Sequence, residues 1–364
     1  MNQKSLQTRI AFIDAGKVVA MQIIVWHHLV SYGPLATAAR VLCPDLVIWL
    51  YDHGRVAVQL FLVIGGYLAA RVLSPHGEAF KGRLLPTVIN RYLRLTPPYI
   101  VALLLATACA VFARHWINDE EFIPAAPDIW QSLAHVFLVH DLFDFDSLSA
   151  GVWYVAIDFQ LFVLLASLLW LSARLARQSA AAHALGVGGV LLLSLASLLW
   201  FSRQPDYDIW AIYFFAAYGL GALAYWAEKG RRHVLLAFRL LLAAAVIALL
   251  FDFRSRLLVA LCTALALHLM AHHGLKGRLP HAVHALAHMS YALFLVHFPI
   301  YMLVSAVFAR HGLDMQPWSA LAGLMLTWLL SIAAAYLLHR YVEKPASRMR
   351  LATRPSPASR CNQS

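Results

Sequence analysis

Lys17 and His28 sit eleven residues apart inside the first apolar segment, DAGKVVAMQIIVWHH. On an α-helix that spacing is about three turns, so the two side chains share a face roughly 16 Å apart. Ionisable groups at membrane depth are expensive and mark functional positions. An imidazole titrates near neutrality, which suits a general base taking a proton from an attacking hydroxyl. The geometry fits a donor with charged phosphates at one end and a reactive group at the other. Asp14 lies on nearly the same face as Lys17. His27 points about 100° away from His28, so at most one of the two histidines faces the Lys17 side. A lone histidine in such a segment can simply hydrogen-bond across helices; Lys17 and Asp14 beside it tip the reading towards chemistry.

Other polar groups interrupt later apolar segments. GRVAVQLFLVIGGYLAAR runs from Gly54 to Arg71, and Gly65 and Gly66 leave room for helix packing or for a ligand near the backbone. Packing is the plainer reading. In NRYLRLTPPY, Arg91 and Arg94 share a face and suit a phosphate-bearing ligand, although charge anchoring at a membrane surface explains them too. Asp158, in GVWYVAIDFQLF, lies about two turns into its segment and needs a histidine or arginine from another helix. His297 in MSYALFLVHFP and Glu343 in RYVEKP complete the set, each with a plain structural reading of its own. Pro299 is expected to bend its helix. His268, His272, His273, His281, His284 and His288 hint at metal, but their spacing matches no zinc signature and no cysteine or carboxylate completes them, so no metal is expected.

The elements that must hold these residues are membrane spans. The chain is 61% hydrophobic and 13% charged, and apolar runs of about twenty residues recur from end to end. This predicts an all-α integral membrane protein of about ten transmembrane helices, near 11–31, 55–73, 95–114, 151–173, 184–202, 209–227, 234–251, 257–273, 285–309 and 318–339. A cytoplasmic N-terminus places 22 of the 29 lysines and arginines inside and leaves seven outside: Arg40, Arg55, Arg114, Arg203, Arg254, Arg256 and Arg310. The positive-inside rule then puts both termini in the cytoplasm. The net charge of +11 is on this reading topological and not a nucleic-acid signal. The acidic stretch 115–150 contains IWQSLAHVFLVHDLF, too short to span and expected as a surface or re-entrant helix. MNQKSLQTR reads as the flank of a retained start-transfer anchor. Cys43, Cys109, Cys262 and Cys361 show no paired or metal-like spacing. Residues 1–346 are expected to form one multi-span domain, with 347–364 a polar, disordered cytoplasmic tail.

Taken in order, these pieces resemble the membrane-bound acyltransferase family 3 of bacterial envelope O-acyltransferases. The family opens with Arg or Lys, ten residues and His, which here is Lys17 and His28 after a matching Asp14; this register selects His28 over His27. Its Gly-Val-Asp-Leu-Phe-Phe-Val-Ser-Gly-Phe stretch stands as GRVAVQLFLVIGGY, its Arg-rich Leu-Pro-x-Tyr segment as RYLRLTPPY, and its Trp-Ser-Leu-Ser-Val-Glu-x-Gln-Phe stretch as WYVAIDFQLF. The late motifs stand as SYALFLVHFP and RYVEKP. The resemblance runs from about 14 to 346. Lysine replaces the usual arginine at 17. Asp158 stands where most members carry glutamate, one methylene shorter. Many relatives also carry an extracytoplasmic hydrolase-like domain, which is not seen here.

The resemblance implies an acetyl-CoA-dependent O-acetyltransferase of the bacterial inner membrane, with acetyl-CoA as co-substrate and no bound cofactor. The acceptor it implies is a lipid-linked or polymeric saccharide, with exopolysaccharide the leading choice and polysaccharide synthesis or export machinery as a partner. The roles it implies are His28 as general base, or as a transient acyl carrier, with Lys17, Asp14 and Asp158 beside it. Arg91, Arg94, Arg71 and Tyr67 receive CoA, and His297 and Glu343 support the pocket. The rival readings are a secondary transporter, which predicts two related halves, and a non-catalytic subunit of a polysaccharide assembly complex.

Overall fold

The computed structural model describes residues 3–75, 79–177, 179, 181–273, 279–349 and 351. The tail expected at 347–364 therefore lies, from 352 onward, outside the described residues. The chain is all-helical, with no strand among the described residues. The long helices are α1 (Gln3–Ser31), α4 (Val58–Leu73), α5 (Leu84–Ala113), α7 (Val152–Leu175), α8 (Ala181–Leu199), α9 (Ala211–Ala227), α10 (Arg232–Phe251), α11 (Ser255–His273), α13 (Ser290–Arg310) and α14 (Pro317–Leu338). Short helices α2 (Gly33–Ala39), α3 (Pro44–His53), α6 (Ile129–Val136) and α12 (His281–His288) join them.

Each of the ten apolar segments is a helix, but the number able to cross a membrane is smaller than ten by length and composition. Seven qualify among the described residues, and eight if the bent pair of α1 and α2 counts as one span. The first breaks at Tyr32, where α2 leaves α1 at 89°. Two fall short, Ala211–Ala227 and Ser255–Met270. The reason is plain for α9. Every residue of it except Ile212 is buried, so it is wrapped by protein and its length is not set by the lipid. By contrast, α8, α10 and α14 turn Leu192, Ile247, Leu250, Leu329 and Leu337 outward, an apolar surface suited to lipid.

The tightest packing is between α4 and α9. A Cβ at Gly66 would lie 1.9 Å from the Tyr218 carbonyl oxygen, and one at Gly221 1.9 Å from that of Val63. Small residues let the two backbones touch. Gly65 works differently: a Cβ there would come within 3.2 Å of Asp158 Oδ1, so its bareness leaves room for that carboxylate.

The stretch 115–150 folds back against the helices and does not lie free on a surface. Tyr92 donates its hydroxyl to the Val136 carbonyl (2.8 Å) and Gln160 its amide to that of Leu138 (3.1 Å). His135, Leu138 and His140 are fully buried. Pro299 lies within α13, which runs through it as one helix.

Candidate active site

His28 occupies the last turn of α1, just before the break at Tyr32, and the break is held by the Tyr301 hydroxyl donating to the Tyr32 carbonyl (2.5 Å). His28 Nδ1 lies 2.7 Å from His297 Nε2, with the rings 8° from parallel. His297 Nδ1 lies 3.2 Å from the Leu293 carbonyl. A carbonyl only accepts, so His297 carries its proton on Nδ1 and offers a lone pair at Nε2. His28 must then donate from Nδ1. Its own Nε2 keeps a lone pair, as a general base requires. Gly151, in the left-handed region at φ 85°, caps α7 beside this pair. A Cβ there would meet the Phe294 ring at 2.8 Å and His28 Cε1 at 3.4 Å. His27 is turned away, donating to the Leu50 carbonyl (2.9 Å).

Two cavities approach this centre from opposite ends of α1. One, of about 380 Å³, is lined by Asp14, Lys17, Arg91, Arg94, Asp158, His288, Tyr291 and Glu343. Arg91 forms an ion pair with Asp158, so the shorter aspartate finds its partner directly. Asp14 accepts from His284 Nδ1 (3.0 Å) and Glu343 from His339 Nδ1 (2.9 Å). Glu343 ends a π-helical turn, His339–Glu343, which carries it to the cavity wall. The two acids nearest Lys17 are thus already hydrogen-bonded, and its ammonium has no ion-pair partner among the described residues. The lining sets three cations, Lys17, Arg91 and Arg94, against three carboxylates, and those cations are the groups able to meet a phosphate.

The other cavity, of about 530 Å³, is lined by His28, Tyr32, Arg55, Gln59, Asp141, Trp153, Asp208, Tyr213 and Arg256. The two cavities share Ile24, Val58, Tyr154 and Phe294 as walls. These four side chains form a septum between Lys17 and His28, with the rings of Tyr154 and Phe294 edge to face at 5.7 Å.

The structure thus gathers Asp14, Lys17, Arg91, Arg94, Asp158 and Glu343 in one cavity and sets His28 with His297 against the other. It does not bring Tyr67 or Arg71 to either. Tyr67 is buried and donates to Glu228 (2.6 Å), and Arg71 is exposed at the end of α4. Sequence reasoning overlooked His284 and His288 as site residues, having weighed them only as metal ligands. No metal-ligating cluster occurs among the described residues; instead α12 folds beside α1, linking His288, His284 and Asp14 by contacts of 3.1 and 3.0 Å. His272 and His273 carry side chains outside the described ones.

Residues 10–338 match the acyltransferase domain of acyltransferase family 3. The chain belongs to that family. The match takes in both cavities except Glu343, which follows its last residue. Neither the curated proteins nor the solved structures hold a match to this acyltransferase. With its apolar helices, family membership makes it a multi-pass membrane protein carrying an acyltransferase domain.

Proposed function

We propose that this acyltransferase moves an acetyl group from cytoplasmic acetyl-CoA to a sugar hydroxyl of an exopolysaccharide or another envelope glycan, in the bacterial inner membrane. The observation that carries the reading is the histidine chain from Leu293 through His297 to His28, which leaves a free lone pair on Nε2 of His28, a residue lining the cavity. The CoA phosphates settle among Lys17, Arg94 and Arg91, and the pantetheine arm reaches His28 once the rings of Tyr154 and Phe294, packed edge to face in the free protein, swing apart. His28 Nε2 takes the proton of the acceptor hydroxyl as that oxygen attacks the thioester carbonyl carbon. The tetrahedral intermediate collapses with cleavage of the carbon–sulfur bond. The proton passes from His28 to the leaving thiolate, giving the sugar acetate and free CoA. Asp158 holds Arg91 in place, and His297 holds His28 in the working tautomer.

The test is the acetate released by alkali from surface and secreted polysaccharide of a deletion strain. The strain is complemented with wild type, His28→Ala or His27→Ala at matched membrane abundance. Wild type and His27→Ala should restore acetate and His28→Ala should not. Full restoration by His28→Ala sinks the reading.

A further inference from the structure

The cavity beside His28 is lined by polar groups without a protein partner, some buried and others, Arg55 and Asp208, open to solvent. Gln59 is 8% exposed, a depth at which an amide is normally hydrogen-bonded. Neither it nor Arg55, Trp153, Tyr154 or Asp208 has a side-chain hydrogen bond among the described residues. Arg256 is oriented by Tyr213, donating to its hydroxyl at 2.6 Å while lying 5.4 Å over its ring. Trp153 is backed by Phe214, ring centroids 5.7 Å apart and 29° from parallel.

These groups describe a ligand. Arg55, Arg256 and the Trp153 indole only donate, Asp141 and Asp208 only accept when ionised, and Gln59 does both. A partner for such a mixture offers many groups that both give and take hydrogen bonds, which hydroxyls do. Two arginines stand against two aspartates, so the lining has no surplus of charge to draw a phosphate. The face of Trp153 away from Phe214 suits the C–H face of a ring. We infer that this cavity is the acceptor site: it takes a neutral, hydroxyl-bearing sugar ring packed on Trp153, with Gln59, Asp208 and Arg256 reading its hydroxyls. The ring reaches Nε2 of His28 from the end of the bundle opposite the donor. The inference rests on the acetyl-transfer reading above.

The test uses purified full-length protein in nanodiscs, radiolabelled acetyl-CoA, and as acceptor the cells' own surface polysaccharide after alkaline removal of its acetate. Two quantities are read for each variant: KM for the polysaccharide and Kd for acetyl-CoA. Gln59→Ala and Trp153→Ala should raise the polysaccharide KM about tenfold or more, as expected for loss of a buried hydrogen bond or stacking face. The acetyl-CoA Kd should stay unchanged. Asp208→Asn, at an exposed position where folding is not at stake, should raise the same KM. An unchanged KM in all three overturns the assignment, as does a shift confined to the acetyl-CoA Kd. Wild type that binds acetyl-CoA but acetylates no saccharide overturns the sugar as acceptor, both here and in the reading above, and leaves only the donor assignment. Wild type that binds no acetyl-CoA overturns the acetyl-transfer reading, and the acceptor site with it.

Discussion

His28 and His297 meet nitrogen to nitrogen at 2.7 Å, and the Leu293 carbonyl beyond them decides which of the four ring nitrogens keeps a free lone pair. His297 therefore sets a tautomer without touching the reacting atoms. His297→Ala should lower kcat about 10- to 100-fold, with little change in KM for acetyl-CoA. His297→Gln, whose amide oxygen can accept from Nδ1 of His28, should recover part of the loss. His28→Ala should lower kcat by about 10²- to 10⁴-fold. Steady-state transfer kinetics on the three variants check this, and equal kcat in wild type and His297→Ala would remove the tautomer argument.

Arg91 and Asp158 join α5 to α7 at the floor of the Lys17 cavity. Removing either charge leaves the other stranded. Arg91→Ala and Asp158→Ala should each destabilise the fold by about 2–4 kcal/mol, somewhat less than a fully buried pair, because the Arg91 side chain is 26% exposed. The double variant should lose less than the sum of the singles, and denaturation in detergent across the mutant cycle measures that coupling.

Phe294 contributes to the septum from α13, with Tyr154 facing it edge-on at 5.7 Å. Phe294→Ala opens the wall between the two cavities and admits water to the thioester. The expected outcome is faster acetyl-CoA hydrolysis without acceptor and a smaller share of acetyl groups reaching the glycan. Release of free CoA followed beside acetate transfer distinguishes this from simple loss of activity.

Asp141 lies outside the long helices, and burial followed by the neighbouring Asp208 carboxylate pushes its pKa up from 3.8 to about 6. Its stacked neighbours His135 and His140 are both pushed down by burial, His140 to about 3, so they carry no charge near neutrality. The native state therefore holds a proton on Asp141 that the unfolded chain has already released between pH 3.8 and about 6. This favours folding at the acid end, and the advantage is lost as pH rises through about 6. The thermal midpoint of wild type should carry a downward contribution across that window. Asp141→Asn should remove it, and an identical pH slope in both proteins counts against the assignment.

How far the sequence reaches differs between fold and site. Apolar runs mark all ten helices because their length and composition are local properties. That α9 needs no match to lipid is not local, since its burial comes from α4, α7, α8, α10 and α11 around it. Lys17 and His28 sit on one helix as their spacing implies, yet they serve different cavities. The septum between them adds Val58, Tyr154 and Phe294 from three other helices, and no spacing along α1 can reveal it. A partner for Asp158 was expected by charge and is Arg91. Tyr67 was placed by resemblance, and its hydroxyl is turned to Glu228 across the α4–α9 contact. The acceptor groups Asp141, Asp208 and Arg256 come from connecting segments and a helix start, where no periodicity links them.

The septum has an electrical consequence. Were water to fill both cavities, the conducting phase would reach either side of Ile24, Val58, Tyr154 and Phe294, and in an energised membrane the voltage would fall largely across those side chains. Moving one elementary charge through such a drop is worth about 2.3 kcal/mol per 100 mV. A charged group carried through those side chains would then move along the field, and the step that carries it would depend on membrane potential.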